Sequence, residues 1–240
     1  MDAKLEILFE DRHLVAVAKP ARIPVASEDS GDQTLLGMVR DWNVSRQGSG
    51  KKGYCVPIHF LDRPVSGVIL FALSSKAATR LNEMFRRREM NKTYVAITSR
   101  PPREPQATLE HWLAKDHDEN RSQIVTQDCQ DAKKCVLSYK VLLSASGRSI
   151  AEVKPVTGRS HQIRAQMAAI GAPLMGDVKY GAASGWDGKI ALHAARLDFK
   201  HPVGGAPMRI FAPLPEYWRE IWSSDFPESQ DILFPRGDRS

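Results

Sequence analysis

"HFLDRPVSGVILFAL", residues 59–73, sets a carboxylate among large apolar side chains and then runs into an apolar stretch. Pro64 pushes Arg63 towards extended backbone, Ser66-Gly67 reads as a turn, and Val68 to Leu73 has the length of a buried strand. Downstream, a helix is predicted from Ser75 with Ala77, Leu81, Met84 and Phe85 on one face, and "KTYVAI" (92–97) returns as a strand. Upstream, "LEILFEDRHLVAVAKP" (5–20) reads as two short strands around a polar turn. "TLLGMVRDWNV" (34–44) places Leu35, Leu36, Val39 and Trp42 at helical spacing. Residues 107–135 are polar and carry no clear period. "CVLSYKVLL" and "SIAEVKPV", joined by "SASGR", form an antiparallel hairpin pattern. "SHQIRAQMAAIG" (160–171) reads as a helix with Ile163, Met167 and Ile170 inward and Gly171 as its stop. Strands and helices are interspersed without a regular βα repeat, which argues for an α+β fold.

The 240 residues can bury a sizeable core, and 42% hydrophobic with 26% charged residues is an ordinary soluble balance. Val68 to Leu73 is far too short for a membrane span, and "MDAKLEILFEDRH" lacks a signal-peptide core, so a cytoplasmic protein is expected. Cys55, Cys129 and Cys135 offer neither a disulfide framework nor a close-spaced zinc signature. The linker-like stretches 45–53 and 99–106 do not separate domains, so one domain over 1–240 is expected, with 216–240 as a tail. A net charge of +6 points towards an anionic partner such as nucleic acid. Its densest cluster, Arg86 to Arg88, equally suits a solvated helix C-terminus. Lys19, Lys76 and Arg80 join that cluster as phosphate-binding candidates.

Three positions carry chemistry. Asp62 could be held at a cleft edge by its tight loop, or could simply cap the turn with its own side chain. Arg159, in "VTGRSHQIRAQM", sits after Gly158 at a helix start, where the dipole disfavours a cation. A nearby carboxylate or phosphate would resolve that conflict, as would a guanidinium turned out to solvent. His161 and Arg164 share the other face of this helix. Tyr94, in a half-buried strand, could be an ordinary core residue.

Together these stretches resemble the RluA-type family of pseudouridine synthases. The resemblance runs in order through "LVAVAKPARIPV", "HFLDRPVSGVILFAL", "KTYVAI", "VTGRSHQIR", "IGAPLMGDVKYG" and "LHAARLDF…HP…APLP", covering roughly residues 5 to 215. It implies a mixed, largely antiparallel sheet with flanking helices and a central cleft that receives RNA. Asp62 would be the nucleophile, Tyr94 would pack against the target uracil, and Arg159 would pair with Asp62. His59, Phe60, Arg63, His161 and Arg164 would contact RNA. The implied reaction breaks the bond from uracil nitrogen to ribose, turns the base and rejoins it through carbon, with no cofactor and no metal. The implied substrate is a specific uridine in transfer or ribosomal RNA. A monomer acting as a stand-alone catalytic domain is expected, without a separate N-terminal RNA-binding domain and without membrane association.

Physical chemistry fits those roles. A partly desolvated carboxylate is a useful covalent catalyst when ionised, and burial raises a carboxylate's pKa unless a cation opposes it. A uridine inside folded RNA must be flipped out to reach such a group and needs an aromatic to cover its face. The sequence departs from the family at Phe60, where an arginine is usual, and at Gln166, where a histidine is usual. The first departure admits a non-catalytic RNA-binding protein on the same fold. A metal-dependent hydrolase using His59, Asp62 and His161 lacks the usual ligand spacing.

Overall fold

A computed structural model describes residues 4–26, 33–47, 53–116, 118–218 and 221. Most of the expected 216–240 tail and of the 45–53 stretch lies outside them. The chain divides into two compact units, Met1–Lys92 with Ala194–Pro213, and Thr93–His193 with Leu214–Ser240.

The first unit opens with β1 (Glu6–Glu10) and β2 (Leu14–Lys19), paired antiparallel around the polar turn. Helix α1 (Leu35–Gln47) follows, with Thr34 capping it through a bond from the Gly37 amide to the hydroxyl, 3.0 Å. Its buried stripe is Leu35, Met38, Val39 and Asn43. Trp42 is only half-buried and carries Arg46 over its ring, at 5.4 Å. After β3 (Val56–Pro57) comes β4 (Ser66–Ala72), in which every residue is buried. Such a strand reads as one apolar run because both of its faces are covered. Ser74 caps α2 (Ser75–Arg86) by accepting the Ala77 amide, and Ala77, Ala78 and Leu81 face inward while Met84 and Phe85 are half-buried.

Strand β5 (Asn91–Thr98) leads into the second unit. The stretch without a legible period is a long strand, β6 (Gln106–Asp116), and a short one, β7 (Arg121–Val125), paired as a hairpin. They escape the strand pattern because β6 alternates unevenly, with only Leu109 and Leu113 buried and polar Gln106, Thr108, Glu110 and Lys115 at its exposed positions. Strands β8 (Lys133–Ala145) and β9 (Arg148–Pro155) form the expected hairpin. Its tip places Ser146 and Gly147 at φ 49° and 75°, the left-handed pair that a two-residue hairpin turn requires. Helix α3 (Gln162–Ala169) ends at Gly171, φ 78°, with Ile163 and Met167 inward and Ile170 half-buried. Strands β10 (Leu192–Lys200) and β11 (Pro207–Phe211) close the order.

In the first unit the strand order is β1-β2-β4-β10, with β3 on β4 and β11 on β10; in the second it is β5-β9-β8-β6-β7. The β1·β2, β2·β4, β5·β9, β9·β8, β8·β6 and β6·β7 pairings are all antiparallel. Interspersed helices on largely antiparallel sheets give the α+β class. No described helix is long and apolar enough to cross a membrane.

Candidate active site

In the first unit, the segment bearing Asp62 is anchored to the strand it precedes. The Ile58 amide donates to Leu70 O at 2.9 Å, and the Leu70 amide donates to His59 Nε2 at 3.2 Å. Acceptance at Nε2 puts the neutral proton of His59 on Nδ1. Burial lowers its pKa to about 3, with the nearby charge of Lys92 adding to the effect. The imidazole stacks parallel to Phe85, centroids 6.3 Å apart, with Lys92 Nζ 4.8 Å from that ring's centre. His59, expected among the RNA contacts, is therefore a buried neutral acceptor. Side chains then alternate: Phe60 is 64% exposed, Leu61 is buried and Asp62 is half-buried. Phe60 therefore lies outside the core.

The turn itself spans Arg63-Pro64, closed by the Val65 amide donating to Asp62 O at 3.0 Å. Ser66-Gly67 is not a turn but the start of β4. Gly67 has φ 124°, and a Cβ there would lie 2.3 Å from Ala194 O, so glycine is required for a close main-chain approach. Beneath the turn, Lys19 is 1% exposed and its Nζ donates to Pro20 O at 3.0 Å and to Arg63 O at 3.1 Å. Arg63 O also accepts the Arg22 amide at 2.7 Å, while Arg63 Nε donates to Arg22 O at 3.0 Å. Lys19, expected to grip phosphate, is instead a buried staple. Arg80 Nη1 is engaged by Pro202 O at 2.6 Å, and Arg86 and Arg87 both pair with Glu83.

In the second unit, Tyr94 lies on β5 in register with Val153 and is 8% exposed. Arg159 is exposed, and its Nε donates to Lys134 O at 3.4 Å. Its main chain is held more firmly. The Arg159 amide donates to Gln162 Oε1 at 3.0 Å, which also accepts Thr157 Oγ1 at 2.7 Å, and the Gln162 amide returns to Arg159 O at 3.1 Å. His161 stands at φ 52°, ψ 17°, a left-handed conformation rare for a residue with a Cβ. Its Nδ1 lies 2.9 Å from the Tyr180 hydroxyl. Arg164, expected on an RNA-facing side, is buried. It makes a bidentate pair with Asp177, Nε to Oδ2 at 2.7 Å and Nη2 to Oδ1 at 2.8 Å. Gln166 is fully buried, its Nε2 donating to Leu109 O at 3.1 Å and lying 3.1 Å from His111 Nδ1. Residues with no role expected from the sequence, Ser122, Asp177 and Tyr180, carry this framework. The "GDVKYG" stretch within 170–181 is the signal for Asp177 and Tyr180, and nothing in the sequence marks Ser122. Among the described residues no group of three or more His, Cys, Asp or Glu is placed to hold a metal ion.

The family model described as RNA pseudouridylate synthase matches residues 13–169, well over half of the 240-residue chain. The chain belongs to that family. It is an isomerase of RNA uridine. It is 33% identical to tRNA pseudouridine synthase C of Vibrio cholerae over 91% of this chain and 95% of the relative. It is also 31% identical to an uncharacterized RNA pseudouridine synthase of Bacillus subtilis, over 93% of this chain and 73% of that one. The solved structure of human RNA pseudouridylate synthase domain-containing protein 4 superimposes with a TM-score of 0.76 at 22% identity, over 91% of this chain and 92% of the human one. That likeness establishes the pseudouridine synthase fold.

Proposed function

We propose that this enzyme isomerises one specific uridine of a structured transfer RNA, with Asp62 as nucleophile, Tyr94 covering the target uracil and Arg159 as the counter-charge of the carboxylate. One observation carries the substrate class: the Vibrio cholerae relative, named for transfer RNA, aligns along nearly its whole length and that of this chain. The residue roles are supported by the family's motifs falling in order on Asp62, Tyr94 and Arg159 within the matched span. Two features of the geometry agree with them. Asp62 is half-buried on a stapled turn, partly desolvated as a nucleophile needs to be. Arg159 keeps an exposed guanidinium on a rigid main chain.

The base leaves ribose through N1 and rejoins it through C5, releasing the C5 proton and taking one up at N1, so composition and oxidation level are unchanged and no oxidant or reductant is needed; the reaction runs without a cofactor in this reading. A metal is not required either, and full activity in chelator is the expected result. Phe60, Arg63 and His161 are assigned to the RNA-facing surface, while His59 and Arg164 act from beneath it. The protein works as a cytoplasmic monomer in this reading. Asp62→Asn tests the chemistry, because it removes the nucleophile while keeping its shape. The variant should form no pseudouridine in unmodified transfer RNA yet bind that RNA within about three-fold of wild type. Normal turnover would sink the nucleophile assignment. Mapping pseudouridines in cells with and without the gene identifies the RNA, and a lost ribosomal site with every transfer RNA site intact would overturn the substrate class.

A further inference from the structure

We propose that Tyr180 is a positioning residue for Arg159, acting through the left-handed backbone of His161; this rests on the role given to Arg159 above. The Tyr180 hydroxyl has three neighbours: it accepts the Ser122 amide at 2.8 Å, donates to Ser122 O at 3.0 Å and lies 2.9 Å from His161 Nδ1. A phenol has one proton, and a carbonyl can only accept. With that proton committed to Ser122 O, His161 Nδ1 must be the donor, which fixes the ring's tautomer and orientation. His161 has no side-chain cap of the usual kind for the helix it precedes, and its bond to Tyr180 ties it to β7.

Strained backbone persists only where its surroundings over-determine it. Here they do. Ser122 Oγ donates to Ser160 O at 2.8 Å, so β7 grips the residue on either side of the strained bond, once directly and once through Tyr180. The phenol ring is itself fixed. It packs on Leu113, Cys135 and Ala165, meets the His161 ring edge-on at 5.7 Å, and lies under the Arg164 guanidinium at 4.9 Å. Arg164 in turn is locked by Asp177, three residues before Tyr180. Arg159 lies two residues before His161 on a short segment between β9 and α3. Rotation of the His161 backbone out of the left-handed region would shift Ser160 and Arg159, which precede it on that segment, and carry the guanidinium with them.

The test is a double-mutant cycle on single-turnover pseudouridine formation, using the full chain and an unmodified transfer RNA, with RNA affinity and melting temperature measured alongside. Tyr180→Phe keeps the ring and its contacts and deletes only the hydroxyl. It should lower the single-turnover rate roughly 10- to 100-fold, the scale of an ångström misplacement, while affinity stays within about three-fold. Ser122→Ala removes only the bond to Ser160 O and should cost less in the same direction. If either residue acts through Arg159, adding it to Arg159→Ala should slow the enzyme no further. Losses that multiply in the double variants would overturn the proposal, as would a wild-type rate for Tyr180→Phe. Arg159→Ala at the wild-type rate would instead remove the reading of Arg159 itself.

Discussion

In the loop carrying Asp62 every hydrogen bond described above has a main-chain partner, whereas the loop carrying Arg159 also depends on bonds between side chains. Around Asp62, main-chain bonds join Ile58 to Leu70, Val65 to Asp62 and Arg22 to Arg63, and the side chains of Lys19, Arg63 and His59 add bonds to the main chain of Pro20, Arg22, Arg63 and Leu70. Around Arg159, Gln162, Ser122 and Tyr180 supply the bonds from their side chains. Main-chain bonds survive most substitutions, because every residue but proline offers the same donor and acceptor. A side-chain framework depends on particular hydroxyls and amides. Asp62 is thus held by a device in which only Lys19, His59 and Arg63 contribute particular side chains, and Arg159 by one that single substitutions can undo.

The largest expected effect lies under the Arg159 loop. Arg164 and Asp177 are 6% and 1% exposed at their side chains. Removing one partner of a buried pair leaves the other charge uncompensated, at a cost of roughly 3 to 5 kcal/mol. Arg164→Ala should therefore lower the melting temperature by roughly 10 °C in a chain of this size. Arg164→Lys should fall between, since an ammonium keeps the charge but cannot reproduce the two-pronged bond. The salt dependence of RNA binding by whatever remains folded should match wild type, because no phosphate contact is lost. A wild-type melting temperature with a shallower salt slope would return Arg164 to the RNA surface.

A smaller effect belongs to His59, and it depends on pH. In the folded chain His59 stays neutral down to about pH 3, while its ordinary value is 6.5. Between those values the unfolded chain binds the extra proton, so stability falls as pH is lowered through that window. From pH 6.5 to 5 the loss is roughly 2 kcal/mol, at about 1.4 kcal/mol per unit. His59→Gln supplies another acceptor for the Leu70 amide but no titrating group. It should be less stable than wild type at pH 7, and the gap should narrow at pH 5. Urea unfolding at the two pH values checks this, and a constant gap would show that His59 is not the buried titrating group.

This contrast also explains which parts were legible in the sequence. Strands β4, β5, β8 and β9 and helix α2 announce themselves through apolar runs, periodicity and turn residues, since burial dictates their composition. The β6–β7 hairpin does not, because its burial is uneven and few of its residues are fully buried. The Asp62, Tyr94 and Arg159 positions were found through ordered motifs rather than through any local pattern. Lys19 and Arg164 were misread for one physical reason. A cation in a sequence suggests a surface, and only the fold reveals that carbonyl oxygens or a carboxylate await it inside. The Ser66-Gly67 pair was misread in the same way, because nothing local shows that Ala194 passes alongside.

Phe60 carries the smallest expected effect on the fold, and it probes the outer side of the main-chain-held loop. With 64% of its surface exposed between buried His59 and Leu61, its ring contributes little apolar burial. Phe60→Ala should therefore leave the melting temperature within about a degree or two of wild type. A ring presented beside the Asp62 loop is suited to stack on a base or to fill the gap left by a flipped one. Such a contact is worth roughly 1 to 3 kcal/mol per base, and a single edge contact belongs at the lower end. Productive RNA binding should weaken about five- to ten-fold, and the slope of affinity against salt should not change, since a phenyl ring neutralises no phosphate. Phe60→Arg should stay active and steepen that slope. The two variants together separate stacking from charge: an alanine variant with unchanged affinity, beside an arginine variant that binds more tightly at every salt concentration, would show that the ring makes no contact with RNA.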